Sequence, residues 1–241
     1  MNELRLNVSR VKAADETGTW PEWGSDDIYL AAVTVDSRLV VNTVDEVRIG
    51  EFDDGDARDF SPAKTLARFR LDDGVYPRAY VAAVVLAERD NGEAIPEFLT
   101  ALTKSVKENL PTERDRRRRR QGPAADDAAS GFEFLGFTGK ELATIAWKGV
   151  QEAWKVYKKI RADDIFLPKT LYVDIDGEDH RWDGSRRSPL EKLRLAAHDG
   201  VYWVGMHWAI ADGSPVATPP SGRPTRVPRE PRPTVPARHE N

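Results

Sequence analysis

Two short runs constrain this chain more than anything else in it: residues 27–35, DIYLAAVTV, and residues 79–88, AYVAAVVLAE. Each is apolar on both faces of an extended trace, each is bounded by Gly and Asp clusters, and each is short for a buried helix. They read as central β-strands, which places them in the middle of a core.

Around them the pattern is that of half-buried strands. Residues 4–12 put Leu4, Leu6 and Val8 on one face and Arg5, Asn7 and Ser9 on the other. Weaker strand patterns run over 39–49, 65–71 and 170–176. Residues 201–210 alternate again, and Tyr202, Val204, Met206, Trp208 and Ile210 form an apolar face suited to closing a sandwich. In the middle the period becomes helical. After Pro96, a helix-start residue, Phe98, Leu99, Leu102, Val106 and Leu110 recur at three and four residues. A stronger helix is expected over 138–161, with Leu142, Ile145, Ala146, Val150, Ala153, Tyr157 and Ile160 on one stripe.

Trp147 and Trp154 stand a heptad apart at the edge of that stripe and widen its apolar arc to roughly 200° at about 100° per residue. Two readings follow: the helix is wedged between sheet and insertion, or Trp147 and Trp154 form a partner-binding face.

The expected fold is mainly β, an antiparallel β-sandwich over 1–95 and 165–212. An α-helical insertion occupies 96–164. It contains a mobile Arg-rich loop over 111–131, which lacks apolar periodicity. Residues 213–241 hold eight of the chain's 16 prolines and read as a disordered Pro/Arg-rich tail.

Composition narrows the chemistry. Without cysteine there is no disulfide, no thiolate zinc site and no thiol nucleophile. The first residues lack the apolar core of a signal peptide, and no run of about 18 apolar residues is present, so a cytoplasmic protein is expected, with signal-independent export left open. The net charge is −4, but five tail arginines against two glutamates leave +3 on the tail and −7 on the remainder. An acidic body argues against a nucleic-acid partner, and Arg114 and Arg116 to Arg120, with no aromatic residue between them, read as a solvated charge run.

No catalytic residue is assigned. None of the four histidines has a partner at the i, i+4 spacing of a helical zinc site, and no Gly-x-Ser-x-Gly elbow or phosphate-binding glycine loop occurs. Asp174, Asp176, Glu178, Asp179 and His180 cluster in DIDGEDH, where Asp176-Gly177 reads as a hairpin turn and a metal-dependent hydrolase is the remaining enzymatic alternative.

Acidic residues also gather at the expected strand ends: Asp15 to Asp27, Glu51 to Asp59, and Glu88 to Glu93. Convergence of such loops at one end of a sandwich suits Ca²⁺, which takes six to eight oxygen ligands. Ser25-Asp26-Asp27-Ile28-Tyr29-Leu30 and Glu88-Arg89-Asp90-Asn91-Gly92 resemble two elements of C2-type β-sandwiches, over roughly the first 95 residues. The resemblance implies a calcium-binding type of sandwich with Asp27, Glu88 and Asp90 as ligands and Asp26 as a helper. The other reading is that these are solvated turn carboxylates. The expected function is a non-enzymatic binding module, Ca²⁺-dependent through those residues and contacting a protein partner. The alternative is a structural or effector component of a larger assembly with no metal role.

Overall fold

The computed structural model describes residues 2–15, 26–71, 75–89, 94–112, 115, 137–160, 165–197 and 200–212. The tail 213–241 and most of the Arg-rich stretch 111–131 lie outside them. Among the described residues the strands are β1 (Asn2–Asp15), β2 (Asp26–Asp36), β3 (Val41–Phe52), β4 (Ala57–Leu71), β5 (Arg78–Glu88), β6 (Lys169–Ile175), β7 (Glu191–Ala197) and β8 (Gly200–Asp212); helices α1 (Ala94–Asn109) and α2 (Gly139–Ile160) fall between β5 and β6.

The strands form two antiparallel four-stranded sheets, the β1 sheet in the order β4-β1-β8-β7 and the β2 sheet in the order β3-β2-β5-β6. The first and last strands are neighbours, paired from Asn2 opposite Asp212 to Asp15 opposite Val201. Thus the alternation near both ends belongs to one body.

The two-sided apolar runs are explained by two cores. Ile28, Leu30 and Ala32 of β2 and Tyr80, Ala82, Val84 and Leu86 of β5 face the β1 sheet, meeting Leu4, Leu6, Tyr202, Val204 and Trp208. The intervening Ala31, Val33, Val35, Val81, Ala83, Val85 and Ala87 face the opposite way, toward Phe98, Leu102 and Val106 of α1 and Leu142, Ala146 and Val150 of α2. Three layers result: sheet, sheet, helices. Alanines on the helix side of β2 and β5 let α1 and α2 approach closely. The helices come close at Gly149, where an added Cβ would meet the Val106 backbone at 2.7 Å.

Helix α2 begins where the sequence chemistry dictates. Thr138 and Glu141 form a reciprocal capping box, with Thr138 N donating to Glu141 Oε2 at 3.0 Å and Glu141 N to Thr138 Oγ1 at 3.3 Å. Asp174 of β6 accepts from Gly139 N at 2.7 Å and ties that helix end to the sheet. One expectation is corrected here. Asp176-Gly177 does not close a hairpin, because β6 and β7 belong to different sheets and residues 176–190 carry the chain between them.

Two edge strands are only partly legible in sequence. β4 begins eight residues before the expected 65–71, its first half exposed, charged and interrupted by Pro62. β7 carries three charges in seven residues and has only Leu195 fully buried. Short apolar content, charge and proline are the usual marks of sheet edges. Among the described residues no helix is long and apolar enough to cross a membrane.

Candidate functional site

Adjacent residues of a strand point to opposite faces, and this separates the acidic residues singled out in the sequence. Asp26 faces the core between the sheets, where it is buried and accepts a 2.5 Å hydrogen bond from Tyr202 Oη. The Tyr202 ring packs edge-on against Phe52 and Phe166, so this pair pins one sheet to the other. Asp27 lies on the other face, accepting from Arg48 Nε at 2.8 Å and Tyr29 Oη at 3.2 Å. Arg48 also reaches Glu51 at 2.5 Å, and these hydrogen bonds, Asp27 first, raise its pKa above the ordinary guanidinium value. Glu88 stands opposite Ile28 in register, on the Asp26 side, while Asp90 lies outside the described residues. Among the described residues no group of three or more carboxylates and imidazoles is arranged to hold a metal ion.

Trp147 and Trp154 are half-buried against the core beneath the helices. The Trp154 ring meets Phe98 edge-on at 6.2 Å. In the DIDGEDH segment, Asp174 caps α2 and the Asp176 carboxylate lies 3.3 Å from His180 Nδ1.

A different group of residues comes together on the outer face of the β1 sheet. A strict alternation from Leu4 would carry Arg10 and Lys12 inward with Leu6 and Val8. Instead the register of β1 shifts between Val8 and Arg10 against both of its neighbours, so Val11 and Ala13 enter the core and Arg10 and Lys12 emerge outside. Re-aiming side chains is what a β-bulge does. Ser9, the inserted residue, is held by a 2.8 Å hydrogen bond with His207 Nδ1 on β8. Burial, reinforced by Arg187, holds His207 below the ordinary imidazole range, which favours the neutral ring at pH 7.

The re-phased strand builds two cationic rungs. In the first, Lys12 stands opposite Trp203, which stands opposite Arg194; in the second, Arg10 stands opposite Gly205, which stands opposite Lys192. Trp203 is 40% exposed although it sits on a strand with neighbours on both sides. Leu190 leans over Gly205, and Arg10, Lys12, Leu190, Lys192, Trp203 and the Val204–Gly205 backbone line a groove of about 530 Å³. Among the described residues no acidic side chain lines it. Arg10 is 3.6 Å from Asp59 in an exposed pair, a geometry worth little in water.

No protein-family model, curated protein or solved structure matches this chain. The class it defines is therefore structural: a two-sheet antiparallel β fold backed on one side by helices, with a basic, aromatic groove on the other. The groove is hidden in the sequence because Arg10, Lys12, Lys192 and Arg194 lie far apart in the chain. One signal was present: Trp203 alternates with five apolar residues on the closing strand and so had to face outward.

Proposed function

We propose that the chain is a non-enzymatic binding module, a C2-like sandwich whose contact surface is the basic outer face of the β1 sheet and whose partner is a negatively charged macromolecule. The observation that carries this reading is Trp203, an exposed indole on an inner strand with Lys12 and Arg194 on either side. Leaving a large aromatic ring in water on a central strand sacrifices burial that a neighbouring element would supply, so such a ring marks an interaction surface.

The reading is metal-free, as in the assembly alternative. Asp26 and Asp27, half of the candidate calcium set, are engaged by Tyr202 and Arg48 on opposite faces of one strand. The groove is also favoured over the Trp147 and Trp154 edge, whose rings already bury much of their surface on the second core.

Retention on phosphocellulose at pH 7.5 tests it. The wild-type chain, acidic overall, should be retained and elute with salt, whereas Lys12→Glu/Lys192→Glu/Arg194→Glu should elute much earlier at an unchanged melting temperature. Equal retention of the two proteins would refute the assignment of this face.

A further inference from the structure

Resting on that reading, we infer that the groove takes single-stranded nucleic acid, with a base stacked on Trp203 and the flanking phosphates held by Arg10, Lys12, Lys192 and Arg194. Three features select this occupant. First, cation and flat ring alternate within a single rung. Neighbouring strands are about 4.8 Å apart, so Lys12 and Arg194 stand roughly 10 Å from each other with the indole midway. A base on that ring brings its own phosphates within reach of both cationic arms, which is the pairing of stacking platform and charged track used for single strands.

Second, the groove offers a base little to read. Its floor is the bare backbone at Gly205, its walls are the arms of Leu190 and the cations, and among the described residues no acidic or amide side chain lines it. Such a surface stacks any base, independent of sequence. A duplex keeps its base faces internal and has none to give to Trp203.

Third, the volume of about 530 Å³ is that of a site for a nucleotide-sized group. An acidic polypeptide would satisfy the cations but has no planar group at each charge, so it leaves the central indole unused. Because the contact is with exposed cations, it should be steeply salt-dependent.

The test is fluorescence anisotropy of the full chain with fluorescein-labelled 15-mers of oligo(dT) and oligo(U) from 50 to 300 mM NaCl. A matched duplex and poly-glutamate of equal charge serve as competitors. Arg116 to Arg120 and the tail arginines add unspecific attraction, so differences between variants are the readout. Trp203→Ala should weaken single-strand binding about tenfold, while Trp203→Phe keeps most of it and neither variant alters poly-glutamate binding. Lys12→Glu/Lys192→Glu/Arg194→Glu should flatten the slope of log K against log salt by about 2, at about 0.7 for each phosphate no longer neutralised.

If the triple variant loses oligonucleotide and poly-glutamate alike while Trp203→Ala changes neither, the nucleic-acid inference is overturned and the basic face survives as a site for acidic protein. Equal competition by the duplex overturns it in the same way. A triple variant that binds oligonucleotide like the wild type overturns both, placing the affinity elsewhere in the chain.

Discussion

The two sheets share a core but differ in what lies on their far sides. The β2 sheet is covered by α1 and α2, and its central strands are apolar in both directions. The β1 sheet has no such cover among the described residues, and its central strands send Arg10, Lys12, Trp203 and His207 outward. A strand apolar on both sides is committed to packing and has no position left for chemistry. A strand covered on one side keeps every second residue available, and recognition chemistry in this molecule collects there.

The contrast between the two far sides can be broken at three points. The largest effect should come from their rings. Phe98→Ala, emptying the core beneath the helices, should cost about 3–5 kcal/mol in urea denaturation, whereas Trp203→Ala, at a ring already 40% exposed, should cost clearly less. Comparable losses would mean that Trp203 is a packing residue and that the two faces do not differ as argued.

Next come two glycines with different duties. Gly149→Leu drives a side chain into Val106 and should destabilise by about 1–3 kcal/mol despite leucine's better helix propensity. At Gly205 the nearest atoms to an added Cβ are Leu190 and Arg10 side chains at 3.5 and 3.6 Å, ordinary van der Waals distances. Gly205→Ala should therefore leave the melting temperature unchanged while narrowing the groove; strong destabilisation would place that position in the structural half of the molecule.

The smallest effect concerns pH. Because burial depresses the folded-state pKa of His207, its neutral form contributes stability in full above the unfolded imidazole value of about 6.5, and that contribution is lost as pH falls below it. The melting temperature should drop between pH 7.5 and 5, and His207→Gln should reduce the drop. An unchanged pH profile would show that the ring protonates without disturbing the bulge at Ser9.

Most of the layered architecture was legible because it rests on local pattern. Residues 27–35 and 79–88 announced two-sided burial, residues 201–210 announced their inward face, and the recurrences around Phe98 and Val150 announced the helices. What hid β7 and the first half of β4 was their edge position, where a strand needs few apolar residues. The partners of the acidic residues were hidden for a related reason: spacing in sequence does not reveal that Asp26 and Asp27 face opposite ways, or that Tyr202 and Arg48 meet them.

Hydrophobic periodicity, then, determined by itself which of the well-buried segments extend and which coil, since those choices depend on neighbours three or four residues away at most. The groove belongs to the tertiary structure alone. A one-residue bulge at Ser9 reverses the facing of Arg10 and Lys12, and antiparallel pairing brings Lys192 and Arg194 from the far end of the chain to the other side of Trp203. Both are consequences of register between distant strands, which backbone hydrogen bonds across the sheet decide.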